Sequence, residues 1–320
     1  MKYTQLGSTG LEVSELCFGV LPMGPLQADI SVDQGGELLL EAMRRGINFF
    51  DTAQMYGTYG HLRYALDRYE QPERIIITSK STAAGYDDMD AAVRQALYEL
   101  GRDHIDVFLL HAARAGVELM EKRAGAWQCL LDHKSRGTLR AVGVSTHSVP
   151  VVRMLAAVPE VDVIFPLLNY RSLGILGGDA EAMQAATEEA AQRGKGLYTM
   201  KLLGGGALLD DILAAFRYGR SLRQFAAHAV GMNYRGELEF NLRLFNDQPI
   251  DESALKDIKR SKHWVLMEIL CASCGACIDG CPSQALSWND SGSLPLVDDS
   301  KCILCGYCAP RCPEFAIRVK

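Results

Sequence analysis

Phe18-Gly-Val-Leu-Pro-Met-Gly24 follows the first run with strand character, Val13–Gly19. In a doubly wound nucleotide-binding sheet this turn would read Gly-x-Gly-x-x-Gly, so that backbone amides could cradle a pyrophosphate. Here glycines stand at 19 and 24 with Pro22 between them, and the fingerprint is missing. Beyond this turn the chain is repetitive. Strand candidates recur at Ile47–Ala53, Arg74–Lys80, Ile105–Ala112, Leu139–Thr146, Val161–Asn169, Gly196–Leu203 and Gln224–Met232. Between them lie stretches with apolar residues at helical spacing, such as Asp87–Gly101 and Asp179–Gly194. About eight strand–helix units over roughly 250 residues predict a (β/α)8 barrel. We place it at 1–250, with a linker helix at 251–269 and a small α+β domain at 270–320.

In such a barrel chemistry sits where strands end, on the C-terminal rim. Those ends carry Asp51, Lys80, His111, Ser145 and Asn169, with Tyr56 in the loop five residues after Asp51. A tyrosine, a lysine, a carboxylate and a histidine on one rim suit proton transfer to a carbonyl oxygen. A free phenol titrates near 10 and needs a neighbouring cation to act as a donor near neutrality. Lys80 can supply that charge, Asp51 can hold the lysine, and His111 can orient the carbonyl. Taken singly, each residue also has a capping, packing or surface reading; their placement on successive strand ends favours the catalytic one.

The C-terminal fifty residues hold eight of the ten cysteines. Cys271, Cys274, Cys277 and Cys281-Pro282 repeat 31 residues later as Cys302, Cys305, Cys308 and Cys312-Pro313. Both stretches read C-x2-C-x2-C-x3-C-P, the pattern of a bacterial two-cluster ferredoxin, in which the fourth cysteine of each run ligates the other cluster. One [4Fe–4S] cluster is therefore expected on Cys271, Cys274, Cys277 and Cys312, and a second on Cys302, Cys305, Cys308 and Cys281. A zinc hook would take four ligands from two pairs and leave the third cysteine and the Cys-Pro of each run without a role. Cys17 and Cys129 lie in apolar contexts and are read as buried residues.

The chain has 320 residues, 48% of them hydrophobic, and a net charge of −6, which argues against a nucleic-acid footprint. No apolar run approaches the roughly 18 residues that span a bilayer. The start, MKYTQLGSTGLEVS, lacks the order of a signal peptide, so a cytoplasmic location is expected, where thiols stay reduced.

These residues resemble the aldo-keto reductase superfamily over roughly residues 1–245. MKYTQLGSTGLEVS and Gly19 are similar to its N-terminal hairpin and first strand. GINFFDTAQMYG carries its catalytic aspartate and tyrosine positions, IIITSK ends on its lysine and VFLLH on its histidine. The resemblance implies that Ser145 and Asn169 hold a nicotinamide carboxamide. It implies that Met200 or Lys201 stands where many members place a stacking aromatic, and that Gly231–Asn241 grips the adenosine end. The strand-7 segment Thr199–Gly206 resembles the subgroup carrying a ferredoxin-like tail. Glu237 stands where many NADP-dependent members have an arginine for the 2′-phosphate, and Phe240 where an acidic residue meets the adenine. Arg235 is the alternative phosphate ligand. NAD is thus the better fit than NADP.

The sequence supports three functional readings. In the first, a carbonyl-type small-molecule substrate is reduced with Tyr56 as proton donor and NAD(P)H as hydride donor, while the clusters link the enzyme to an electron-transfer chain and a redox protein partner. In the second, electrons arrive singly through the clusters and no nucleotide binds. In the third, the chain is a non-catalytic electron carrier. The cysteine pattern sets a first expectation. Anaerobically purified protein should contain about eight iron and eight sulfide per chain. Cys281→Ser should damage the cluster of the second cysteine run, as read by EPR of the reduced protein. Damage confined to the cluster of Cys271, Cys274 and Cys277 would reverse the assignment.

Overall fold

The computed structural model describes residues 1–250, 263–281, 283–302 and 306–319. The chain opens with a hairpin, β1 (Tyr3–Gln5) against β2 (Glu12–Ser14). Eight parallel strands then close a barrel: β3 (Leu16–Gly19), β4 (Phe49–Asp51), β5 (Ile76–Ser81), β6 (Ile105–His111), β7 (Leu139–Thr146), β8 (Val163–Pro166), β9 (Gly196–Met200) and β10 (Ala227–Gly231). Neighbours keep chain order, and β10 closes the ring onto β3. The expected strands are all present. The run Val13–Gly19 is divided at Glu15, because Ser14 turns the chain: its N–H donates to Asn48 Oδ1 (2.6 Å) and its hydroxyl to Leu16 O (2.7 Å).

Parallel strands covered by helices are buried on both faces, which is why β5 is buried at every position and reads as a continuous run. The covering helices carry their own stop and start signals. Val32–Arg44 begins at Ser31, whose side chain accepts from Gln34 N–H, with Asp33 in the first turn and Arg44 in the last. Tyr86–Leu100 ends at Gly101 in the left-handed conformation. Inside the ring, Phe49, Phe165 and Tyr198 stack with Val107, Leu109 and Val163, while Leu6, Leu11 and Val13 of the hairpin plug the lower end. The upper end is left to polar groups.

After the barrel, β11 (Trp264–Leu266) pairs antiparallel with β14 (Ile317–Val319), and β12 (Leu286–Trp288) with β13 (Pro295–Val297). Short helices at Ala276–Asp279 and Cys308–Arg311 accompany the two cysteine runs, and the lobe's small core gathers Cys277, Cys308 and Cys312 with Leu286, Ala309, Ala316 and Ile317. The expected linker helix needs correction. Residues 251–262 lie outside the described residues, and the rest of the span is the strand β11 plus a single 3-10 turn at Glu268–Leu270. Trp-Val-Leu is aromatic and β-branched, and β14 gives its backbone the partners a strand needs.

This lobe lies across the upper rim of the barrel. Arg114 forms an ion pair with Glu314 (3.0 Å) and donates to Pro313 O (2.7 Å), and Gln27 Nε2 donates to Met267 Sδ (3.5 Å). At the centre of the contact is Phe315, 2% exposed, edge-on to His147 with ring centroids 5.7 Å apart. Lys201 Nζ stands 3.8 Å from its ring centroid. Phe315 and Lys201 both hold positive φ, at 51° and 61°, conformations that non-glycine residues keep only where their surroundings enforce them. The barrel makes room with glycine: a Cβ on Gly174 (φ +74°) would come within 1.6 Å of the Phe315 ring. Gly174→Ala should therefore lift the lobe. The expected result is faster hydrogen exchange at Ala316 and Ile317 with the barrel's amides unchanged; equal protection in mutant and wild type would contradict this docking.

Candidate active site at the barrel mouth

The four expected catalytic residues meet on the upper rim. Asp51 ends β4, Lys80 is next to last in β5 and His111 ends β6. Tyr56 closes the 3-10 turn Gln54–Tyr56, which Gly57 terminates with φ +66°. Lys80 Nζ donates to both Asp51 oxygens, at 2.8 and 2.9 Å, and to Thr52 O at 2.7 Å. The ammonium lies 4.8 Å from the Tyr56 ring centroid, and the Tyr56 and His111 rings are edge-to-face with centroids 5.8 Å apart. Asp51, Tyr56 and Lys80 are buried and His111 half-buried.

Burial sets the protonation states. It works against the Lys80 ammonium, but Asp51 and the phenol of Tyr56 outweigh it and hold the lysine's pKa above its ordinary value. Burial pushes the Asp51 carboxyl up, opposed by Lys80 and by the Tyr198 hydroxyl, which donates to Oδ2 at 2.9 Å. For Tyr56, burial raises the pKa and Lys80 pulls it back only in part. The expected lowering by the lysine is thus real but is overtaken by desolvation. The phenol stays protonated at neutral pH, the state a general acid must have. His111 is pushed down to about 3, first by burial and then by Lys80, Lys201 and Arg123, so it is a neutral imidazole. Its Nδ1 is buried with no hydrogen-bond partner among the described residues.

Several neighbours are not signalled by the rim pattern. Tyr198 is an inward residue of β9, stacked on Phe165 at 3.8 Å between centroids. Its period-2 position relative to Met200 is the available signal. Arg123 donates to the carbonyls of Ser81, Ala83 and His111, tying the ends of β5 and β6. Phe315 and Arg318 reach the mouth from the far lobe, which no local pattern announces. His147 is buried beside Phe315, as a residue bordering the site.

The model of the aldo/keto reductase family matches residues 15–260, and that of a 4Fe-4S dicluster domain matches 270–317. This chain belongs to the aldo/keto reductase family. Among curated proteins it is similar to L-galactose dehydrogenase of Arabidopsis thaliana, 27% identical over 58% of this chain and 66% of that protein. It is equally similar to an aldo-keto reductase of Mycobacterium sp. (strain MCS), 27% identical over 63% and 66%. The chain spans about two thirds of the length of these two curated relatives, and a smaller share of others it matches. A solved Pseudomonas aeruginosa protein assigned to the aldo-keto reductases superposes with a TM-score of 0.66 at 25% identity, over 77% of this chain and 95% of that one. The aldo-keto reductase AKR11C1 of Bacillus halodurans, at 18% identity and TM-score 0.63, shares the fold over 81% of this chain and 96% of that one.

As a member of this family the chain can be tested for the nucleotide contacts that the resemblance implied. Gly19 and Gly231 face each other at the ends of β3 and β10. Ser145 is buried, its Oγ 3.4 Å from Leu110 O. Asn169 spends both ends of its amide on Leu173: Nδ2 donates to Leu173 O and Oδ1 accepts from Leu173 N–H, each at 2.9 Å. Met200 ends β9, and Lys201 is covered by Phe315. At the adenosine end Asn241 donates to Glu237 O, leaving its buried Oδ1, like that of Asn233, without a partner among the described residues. Glu237 accepts from Asn233 N–H (2.6 Å), while Arg235 is paired with Glu41 (2.5 Å). Two orphan acceptors suit the adenine half. No cation among these residues stands ready for a 2′-phosphate, and the nicotinamide half does not fit.

The cysteines do fit iron–sulfur clusters. Cys277, Cys308 and Cys312 are buried in one core with Cys271 and Cys281 packed against it; Cys305 lies outside the described residues. Backbone amides already serve the sulfurs: Ala316 N–H donates to Cys312 Sγ (3.2 Å) and Ala285 N–H to Cys281 Sγ (3.3 Å). A tetrahedral zinc with bonds near 2.3 Å would hold its sulfurs within about 4 Å of one another. Among the described residues no three tail cysteines come within 4.8 Å.

The buried histidines generate a pH expectation. His111 and His228 have folded pKa values of about 3, below the 6.5 of an exposed imidazole, with burial as the main cause. The unfolded chain therefore binds more protons between those values. Their contribution is complete above pH 6.5 and is lost as pH falls toward 3. Urea midpoints should drop between pH 7 and pH 5, and His228→Gln, at the barrel's lower end, should flatten that slope. A midpoint independent of pH over this range would contradict it.

Proposed function

We propose that this aldo/keto reductase reduces a carbonyl-type substrate at Tyr56 with electrons that enter through its C-terminal clusters, without a nicotinamide nucleotide. One observation carries this reading: Phe315 lies over Lys201 and against His147, on the ground where the family would stack a nicotinamide ring. The committed amide of Asn169 agrees with it. Cys271, Cys274, Cys277 and Cys312 would hold one cluster, and Cys302, Cys305, Cys308 and Cys281 the other. When bound there, they supply electrons one at a time. A redox protein partner would feed them, and a reducing cytoplasm suits the free thiols.

The barrel's own residues do the proton chemistry. Neutral His111 offers the carbonyl oxygen a hydrogen bond and polarises it. Tyr56 gives its proton to that oxygen as negative charge develops. Lys80, held by Asp51, stabilises the phenolate left behind, and the closed lobe keeps water away so that these charges act at low dielectric. Two electrons and two protons make the alcohol: Tyr56, once reprotonated from solvent, gives the second proton, which forms the C–H bond at the carbonyl carbon. A carrier with no substrate would have no use for such an arrangement. The other enzymatic reading, with NADH as hydride donor, is favoured by the orphan acceptors Asn233 Oδ1 and Asn241 Oδ1 and requires the lobe to lift.

Anaerobically reconstituted protein decides between them. Reduced with dithionite, it should convert members of a panel of small aldehydes and ketones, whereas NADH and NADPH should neither bind nor bleach the cluster absorbance. Tyr56→Phe should slow conversion by about 10²–10⁴-fold while leaving cluster reduction unchanged. Micromolar binding of NADH with turnover would overturn the nucleotide-free reading. A Tyr56→Phe rate within about threefold of wild type would remove the tyrosine from its role.

A further inference from the structure

The chain is acidic overall, yet its barrel mouth is crowded with cations. Around His111 and His147 stand Lys80, Arg114, Arg123, Lys201 and Arg318. Among the described residues two carboxylates answer them: Asp51 is taken by Lys80, and Glu314 by Arg114. The rest of the positive charge is left over. Arg123 is spent on three backbone carbonyls that fix the strand ends. Arg318, 6% exposed, donates from Nη1 to the carbonyls of Phe315 and Ile317, and none of its nitrogens meets a carboxylate among the described residues. Among the same residues the side chain of half-buried Lys201 has no hydrogen bond or ion pair. Its ammonium rests on the face of Phe315, 3.8 Å from the centroid, and the residue adopts a positive φ to reach that place.

Buried charges without partners are costly, and proteins keep them where a ligand brings the missing charge. Arg318 interacts electrostatically with Tyr56, and Lys201 with both His111 and His147, so one cation neighbours the phenol and the other the two imidazoles. Burial and mutual repulsion pull the Lys201 pKa well below that of an ordinary lysine, and Arg318 is lowered to about 10. Both ease when an anion arrives.

We propose that Lys201 and Arg318 form an anion site for a carboxylate on the substrate, so that the compound reduced is a small oxo acid whose carbonyl faces Tyr56 and His111. The substrate class rests on the reductase reading above; the anion site itself does not. Arg318 retains Nε and Nη2 for the fork that a carboxylate fits, and Lys201 adds a point charge. The cation supplied by the C-terminal lobe makes that lobe part of the substrate pocket. Cys312 is the other negative neighbour of both cations. The competing role, as counter-charge to a cluster alone, makes different predictions.

The test uses reconstituted holoprotein, oxidised and anaerobic, with oxamate as a non-reducible oxo-acid analogue and acetamide as its neutral control, measured by calorimetry. Oxamate should bind and acetamide should not. Arg318→Gln and Lys201→Met should each weaken oxamate at least tenfold, and Arg318→Lys should recover part of the loss. Visible and EPR spectra of the clusters report whether each variant still folds and loads. If Arg318→Gln loses its clusters, Lys201→Met on the barrel carries the test. Unchanged oxamate affinity in loaded variants, with a shifted cluster potential, would overturn the proposal in favour of the counter-charge role. Phosphate binding as tightly as oxamate, or wild type reducing acetone as fast as pyruvate, would also overturn it. Wild-type turnover separates the two readings: if oxamate binds through Lys201 and Arg318 but no carbonyl compound is reduced, the anion site stands and the reductase reading falls.

Discussion

At the upper end of a largely apolar barrel interior Lys80 meets Asp51, and that ion pair governs the upper half of the molecule. Each partner is almost wholly removed from water, and each is tolerable only because the other is present. Removing one would strand a charge at a cost on the order of 3–5 kcal/mol. The pair also fixes the spacing of β4 and β5, and through Thr52 O it fixes the start of the loop that delivers Tyr56. Tyr198 braces it from across the barrel. A protein that needed only a stable core would fill this space with leucine. Retaining a buried charge pair beneath a phenol makes sense as provision for proton transfer.

The second constraint is the lobe across the mouth. In an open barrel the rim loops would define the pocket. Here Phe315 and Arg318, from the end of the chain, lie among rim residues of the barrel. The dicluster lobe and the candidate active site are thus joined by side-chain contact. A broad surface cleft lies at the opposite end, lined by Tyr3, Glu15, Arg220 and His228, where the strands begin.

Much of this is legible in the sequence, because local physics decides it. Parallel barrel strands are buried on both faces and announce themselves as apolar runs, and their last residues are the rim; Asp51, Lys80 and His111 can be placed from that alone. The cysteine spacing is equally local. The linker helix is overestimated at its end, because Trp264–Leu266 forms a strand through its partner at Ile317–Val319, some fifty residues away. The same non-local logic hides Arg318. An arginine in Ala-Ile-Arg-Val looks like one surface charge in an edge strand until the lobe folds back. The balance between burial and Lys80 at Tyr56 is likewise beyond the sequence, since desolvation depends on how completely the lobe covers the phenol.

Five residues separate Cys312, whose sulfur is a cluster ligand in the dicluster pattern, from Arg318 in the mouth. Over so short a span, whatever immobilises the cysteine immobilises the arginine and the phenylalanine between them. A small domain with a core this thin derives much of its folding free energy from the metal it holds. On the proposed function, assembly of the pocket would be coupled to cluster insertion, and oxidative loss of a cluster would loosen Phe315 and Arg318 at the mouth together with the electron supply.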